Sequence, residues 1–94
     1  MPTEPQPIEC SAEAIDARLR HTLNPHHLRV VDESAAHRGH AGSNGTDFGT
    51  HFRVSIGASA FDGLSRVACH RLVYDALQDF IDAGLHALAI EIQR

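Results

Sequence analysis

The chain contains no lysine and no tryptophan, and its 94 residues include only two cysteines and one tyrosine. All eight basic side chains are therefore arginines, and twelve acidic residues bring the formal net charge to −4. This balance argues against binding nucleic acid through bulk electrostatics, because neutralising phosphates requires clustered basic side chains. A local basic patch stays compatible with the composition.

Two cysteines, Cys10 and Cys69, provide neither a disulfide framework nor a CxxC site, which favours a reducing compartment. The first ten residues, MPTEPQPIEC, lack the apolar core and basic flank of a signal peptide. No apolar run approaches the length of a membrane span. We therefore predict a cytoplasmic protein without a membrane segment. The proline-rich residues 1–8 predict a disordered lead-in, followed by one domain over residues 9–94.

The first half of the domain predicts one helix and two strands. Ser11 is a candidate N-cap, apolar residues then recur at spacings of three and four, and Asn24-Pro25 ends the helix. Residues 27–34 resemble a strand, and residues 51–57 alternate between apolar and polar side chains like a half-buried strand. We expect these two strands to pair antiparallel.

The second half predicts a turn, a long helix and a last strand. Residues 58–63 form the turn, with room for a short helical turn, and a helix over 65–83 stops at Gly84. Cys69 falls on the apolar stripe of this helix, which favours a buried small side chain over a reactive thiol. Residues 86–92 form the last strand. The order α-β-β-α-β predicts a small α+β sandwich with helices on one face of a three-stranded sheet.

Charges on the long helix oppose its dipole. Basic residues lie near its start and acidic residues near its end, and Arg71 and Asp75 form an i,i+4 pair in the weaker orientation. Either a solvated face tolerates these small penalties, or the basic cluster Arg66, His70 and Arg71 meets a partner. For His70, which lies off the apolar stripe, the alternatives are a plain surface histidine and part of that partner surface.

Residues 37–52, HRGHAGSNGTDFGTHF, combine histidines with glycines. The glycines do not form a P-loop, which requires a Lys-Ser/Thr pair and a following helix. Their simplest role is to give a long loop conformational freedom. His37 and His40 form H-x2-H, which alone is not a standard zinc spacing; a zinc site would also need His51 or Asp32. The alternative is a solvated polar loop. We assign no role to His51, which the alternation places on the polar face of its strand.

Six motifs in fixed order resemble the BolA family over residues 23–92. They are VVDES, H.GH.G, THFRV, F.G.S, HR..Y..L and HALAI. The resemblance implies a fold like the class II KH domain. It also implies partnership with a monothiol glutaredoxin, in a heterodimer that shares a [2Fe-2S] cluster ligated by a glutaredoxin cysteine and by glutathione.

The resemblance also implies which residues of this chain complete the cluster. The loop ligand falls on His37, with His40 as the alternative, and the second ligand falls on His86 at the start of the last strand. The structural alternative for His86 is a hydrogen-bonded core histidine. The chain departs from the family at Gly49, where an acidic residue is frequent, and at Cys69, where an arginine is frequent. The second departure removes a charge from the basic cluster.

The residues and the family resemblance together suggest three functions. The first is a non-enzymatic adaptor in iron–sulfur cluster assembly or trafficking, which holds the cluster only with its glutaredoxin and is a monomer or weak homodimer alone. The second is a KH-like nucleic-acid-binding regulator of transcription or stress response with weak DNA affinity, for which Arg53, Arg66 and Arg71 give thin support. The third is an independent zinc protein. No catalytic arrangement is present: Asp32 and Glu33 are adjacent on a strand and point to opposite faces.

Overall fold

A computed structural model describes residues 9–33, 51–85 and 87–93. Helix α1 spans Ala12–Leu23, strand β1 His27–Asp32 and strand β2 His51–Gly57. A short 3-10 helix at Ser59–Phe61 precedes helix α2 (Arg66–Ala76), helix α3 (Gln78–Asp82) and strand β3 (Ala87–Ile92). The predicted α-β-β-α-β order, with an extra turn before the long helix, is confirmed. The predicted lead-in, residues 1–8, lies outside the described residues.

The sheet has the order β1-β2-β3 and is mixed. Strands β1 and β2 pair antiparallel as predicted, with Val30 opposite Val54. Strands β2 and β3 pair parallel, with Val54 opposite Ile90. A parallel pair requires a crossover connection, which α2 and α3 provide.

The core lies between the helices and one face of the sheet. Phe52, Val54 and Ile56 of β2 are at most 2% exposed, as the alternation predicted. They belong to one cluster that also contains Ile15 and Leu19 of α1 and residues of α2 and α3. Because β2 is the central strand, its apolar face is covered fully, whereas apolar residues of β1 and β3 are only partly buried.

Cys69 is fully buried in this core, and its Sγ lies 3.9 Å from the carbonyl oxygen of Phe61. The prediction of a small core residue is confirmed. Cys10 is also a free thiol. Burial raises the pKa of the Cys10 thiol, whose Sγ lies 3.5 Å from the carbonyl oxygen of Phe80. A raised pKa is the opposite of the lowered pKa that marks a reactive cysteine, so Cys10 is not such a thiol.

The predicted long helix over 65–83 is divided at Leu77, whose φ of −109° and ψ of 14° leave the helical region. Arg18 of α1 explains the position of the break. Its guanidinium donates to the carbonyl oxygen of Ala76 at 3.1 Å, an acceptor that a continuous helix would use internally. The predicted stop is present, because Gly84 has a φ of +126° at the end of α3. The structure adds an N-cap at Ser65, whose side chain accepts from the Ala68 N–H.

Arg18 also binds Asp79 through two nitrogens, at 2.6 and 2.8 Å, and lies 5.0 Å from the centroid of the Phe80 ring. This contact gives one of the dipole-opposed acidic residues of the predicted long helix a structural role. The hydrogen bonds from Arg18 lower the pKa of the Asp79 carboxyl below its ordinary 3.8. The two side chains are 33% and 46% exposed, so solvent screening limits the strength of the pair.

We expect Asp79→Asn to lower the free energy of unfolding by about 1 kcal/mol at pH 7, because a forked, charge-assisted contact is lost. The folded-state pKa of Asp79 is lowered, so its contribution is present above the unfolded-state pKa and disappears as the pH falls through the folded value. The difference between wild type and Asp79→Asn should therefore shrink below about pH 4. Urea unfolding at pH 7 and pH 3 measures it, with the exposed Asp75→Asn as control. Equal losses from both variants would contradict the assignment.

Candidate functional site

Three chain segments meet at one end of the sheet, which we call the loop end. Strand β1 finishes there, and β2 and β3 both begin there, because β2 runs antiparallel to β1 and parallel to β3. The Glu33 N–H donates to the carbonyl oxygen of His51 at 2.8 Å, and His51 lies opposite Ala87 in the sheet. The backbone flanking residues 34–50 therefore lies next to the strand that follows residue 86.

The predicted cluster ligands His37, His40 and His86 lie outside the described residues. Their roles stay predictions. The neighbours of residue 86 are described: Leu85 is 5% exposed and belongs to the core, and Ala87 begins β3. Core packing thus holds Leu85, and strand pairing holds Ala87.

His51 differs from its expected environment. Alternation with Phe52 places it on the outer face of the sheet as predicted, yet only 8% of its surface is exposed. His51 therefore contributes to packing at the loop end rather than to a solvated face. A pattern of alternating residues cannot reveal this burial, because the contacts that cover a strand end come from distant parts of the chain.

Arg53 on the outer face of β2 is held between two carboxylates. It donates to Glu33 at 3.1 Å and to Glu91 at 3.0 Å, across both neighbouring strands. The hydrogen bond to Glu33 is the main cause of the raised pKa of the Arg53 guanidinium. An arginine matched by two carboxylates offers little positive charge to phosphates. Arg53 therefore no longer supports the predicted nucleic-acid surface.

The predicted partner surface on α2 divides into two faces. Arg66 and His70 line a groove with Ile90 and Ile92 of β3. Arg71 is exposed and does not line that groove. It lies one helical turn from Val67, the most exposed large apolar residue among the described residues at 66%. The three basic residues are close together in sequence, whereas the fold directs two of them to β3 and one outward.

Tyr74 lies on the face of α2 that is directed to β3, and the sequence motifs did not identify it as part of that face. Its hydroxyl donates to the carbonyl oxygen of Leu88 at 3.3 Å, which ties α2 to the beginning of β3. The i,i+4 spacing of Arg66, His70 and Tyr74 could have revealed a common helix face. What the spacing could not reveal is that β3 runs alongside that face.

The predicted ion pair between Arg71 and Asp75 is not formed among the described residues, where both side chains are exposed. The unfavourable orientation of this pair along the helix is consistent with that result. A favourably oriented i,i+4 pair occurs instead in α1, where Arg20 binds Asp16 at 2.7 Å.

Within the ranges 9–33, 51–85 and 87–93, no group of three or more His, Cys, Asp or Glu side chains is placed to hold a metal ion. A zinc site that includes His37 or His40 would extend outside these ranges. In the same part of the chain, none of the helices combines the length and apolar character needed to cross a membrane.

Residues 19–94 match the family described as BolA-like protein. A Sinorhizobium protein named for its position 5′ of cobS is 49% identical over 80 residues, which cover 84% of this chain and 85% of that protein. Arabidopsis thaliana BOLA1, a chloroplastic protein, is 45% identical over 84 residues, 88% of this chain and 52% of the relative. The match thus covers about half the length of BOLA1.

Solved structures agree with these matches. BolA1 from Arabidopsis thaliana superposes with a TM-score of 0.76 at 44% identity, over 92% of this chain and 93% of the other. The BolA domain of SufE1 from the same plant gives a TM-score of 0.77 at 43% identity, over 87% and 88% of the two chains. Both of these solved relatives are named as BolA proteins, and neither name is that of an enzyme. The matched residues, the shared α+β fold and its three-stranded mixed sheet show that this chain belongs to the BolA-like protein family.

Proposed function

We propose that this chain is a non-enzymatic adaptor in iron–sulfur cluster assembly or trafficking. In this proposal it binds a [2Fe-2S] cluster jointly with a monothiol glutaredoxin and glutathione, and it carries the cluster as cargo. His37 supplies one ligand, with His40 as the alternative, and His86 supplies the other. The family resemblance implies this role.

The observation that carries the proposal is the convergence at the loop end. His37 and His40 belong to the segment between Glu33 and His51, and these two flanking residues are joined by a 2.8 Å backbone hydrogen bond. His86 precedes Ala87, which lies opposite His51. The topology thus brings the described residues that flank both histidine-bearing stretches to the same end of the sheet, although about 50 residues separate the histidines in sequence.

Imidazole donors from this chain suit such a cargo. Two thiolates and two imidazoles around one [2Fe-2S] cluster have a precedent in Rieske centres, where histidine ligation raises the reduction potential. The bound imidazoles must be neutral, so protonation in acid competes with cluster binding. A chain that supplies only part of the ligand set would acquire the cluster only with its partner.

The outward face of α2 supplies the docking contacts in this proposal. Arg71 offers a charge without a carboxylate partner among the described residues, and Val67 offers exposed apolar surface beside it. Because Tyr74 binds Leu88 at the start of β3, the C-terminal half of α2, which contains Arg71, lies close to the loop end. Docking on α2 and cluster ligation at the loop end can therefore involve one partner at the same time.

The test is to mix the chain with a cluster-loaded monothiol glutaredoxin and glutathione at tens of micromolar. We expect a 1:1 complex by size-exclusion chromatography and a visible absorption and circular dichroism spectrum that differs from that of the glutaredoxin alone. An unchanged spectrum and an unchanged elution volume would overturn the adaptor function.

We expect Arg71→Glu to weaken glutaredoxin docking about threefold to tenfold at low ionic strength, with most of the change in the association rate. Arg29→Glu, a charge reversal at an exposed position of β1, serves as the matched control. It is a better control than Arg20→Glu, because that substitution would also break the ion pair with Asp16. Surface plasmon resonance at two salt concentrations measures the association and dissociation rates of both variants. Indistinguishable effects would mean that Arg71 is ordinary solvated surface.

A further inference from the structure

Strand β3 is an edge strand, and part of its edge is open. The Gln93 N–H donates to the carbonyl oxygen of Ile56 at 2.8 Å, so the backbone of Gln93 faces β2. Backbone direction alternates along a strand, so the N–H and carbonyl groups of Ile90 and Ile92 face away from the sheet. Within the described part of the chain, these outward groups have no hydrogen-bond partner.

Tyr74 occupies one outward-facing acceptor near the start of β3. The carbonyl oxygen of Leu88 also faces outward, and the Tyr74 hydroxyl occupies it. Beyond this bond, the outward groups of Ile90 and Ile92 form an open stretch that spans about 7 Å. A short stretch of this kind resists unspecific sheet extension while still accepting a defined segment.

A groove of about 370 Å³ runs along this open stretch, lined on the helix side by Arg66 and His70. Arg66 is the first residue of α2, where the helix dipole adds positive potential, and the first turn of α2 contains no acidic residue. Glu91 and Gln93 also line the groove, and the Glu91 carboxylate is bound by Arg53 at 3.0 Å on the outer face of the sheet. On its helix side the groove therefore presents the positive charge of Arg66, although the net charge of the whole chain is −4.

We propose that the α2–β3 groove binds an extended acidic segment of a partner protein, which adds to β3 as a fourth strand. The alternating donors and acceptors of Ile90 and Ile92 match another peptide backbone, whereas a phosphate backbone would meet the outward carbonyl oxygens unfavourably. A second copy of this chain is disfavoured at the same edge, because a two-fold contact would bring Arg66 and His70 of both copies together.

The side-chain pattern of the ligand follows from the geometry. Every second residue of the added strand faces the helix side, where Arg66 and His70 lie, and the residues between face the outer side near Glu91. Acidic residues are therefore expected at alternate positions, with neutral polar residues between them. This site requires neither the cluster nor the glutaredoxin, so its test is independent of the proposed function.

The experiment titrates the ¹⁵N-labelled chain, without any metal, with a short capped peptide in which threonine and glutamate alternate. We expect amide shifts concentrated at Ile90 and Ile92 and slower hydrogen exchange of their N–H groups. The same peptide with N-methyl groups on the backbone nitrogens that face β3 keeps its charges but cannot pair, so its binding should be lost. Equal binding of both peptides would overturn strand addition.

Charge variants test the acidic preference. We expect Arg66→Glu to weaken the peptide at least about threefold at low salt. Arg29→Glu, on the strand at the opposite edge of the sheet, should change affinity less than twofold. Arg66→Glu should still form the cluster-bearing heterodimer, which separates failure of this site from failure of the adaptor function.

Three further results would overturn the proposal: no shifts with any peptide, the same shifts on raising the concentration of the chain alone, or displacement of the peptide by a single-stranded oligonucleotide.

Discussion

Replacing His86 by alanine is expected to reduce cluster occupancy of the heterodimer by more than about tenfold, since even loss of the groups that support a metal ligand costs that much. The reason is the position of residue 86 between buried Leu85 and the paired strand that begins at Ala87. Because both of these described neighbours are held in place, we expect no nearby side chain to take over the role of the lost ligand. The measurement is iron and sulfide per complex after size-exclusion chromatography, with the visible spectrum.

The matched control is His21→Ala, which removes an exposed imidazole from α1. Far-ultraviolet circular dichroism and urea unfolding of both variants establish that the fold is retained. If His86→Ala is folded and its complex contains as much cluster as wild type, His86 is not a ligand, and the alternative of a core histidine is preferred.

Substitutions at the two loop histidines are expected to give distinct results. His37→Ala should give a less stable complex with an altered spectrum, because His40 replaces the lost ligand poorly, and His40→Ala should change little. His37→Cys should retain the cluster while shifting its absorption and lowering its potential by on the order of 100 mV, since a thiolate replaces a neutral imidazole. Spectroelectrochemistry and the rate of cluster loss in the presence of a chelator measure these differences.

The register of the motif comparison decides between these histidines, and the experiment tests that register. A larger loss of cluster in His40→Ala than in His37→Ala would make His40 the ligand. Equal retention in both single variants and in the double variant would remove the loop from the site altogether, and the proposed ligand set would have to be abandoned.

Local patterns in the sequence predicted most of the fold because they depend on neighbours along the chain. The cap at Ser11, the alternation in residues 51–57 and the apolar stripe through Cys69 all appear in the structure as expected. The break at Leu77 was not predicted, because its cause is Arg18, nearly 60 residues away, whose guanidinium takes the Ala76 carbonyl oxygen. The ion pair of Arg53 with Glu33 and Glu91 likewise depends on strand pairing.

In the candidate site too, some features were predictable from the sequence and others depended on contacts between distant residues. Motif order alone indicated the BolA-like family and the histidines proposed as ligands, because spacing along a chain is a property of the sequence. Only the tertiary structure decided that Glu33, His51 and Ala87 share one end of the sheet, that His51 is buried, and that Arg66 and His70 face β3 while Arg71 does not. The physical reason is that a parallel strand and its crossover helices bring together residues far apart in sequence, and no local periodicity records which of them meet.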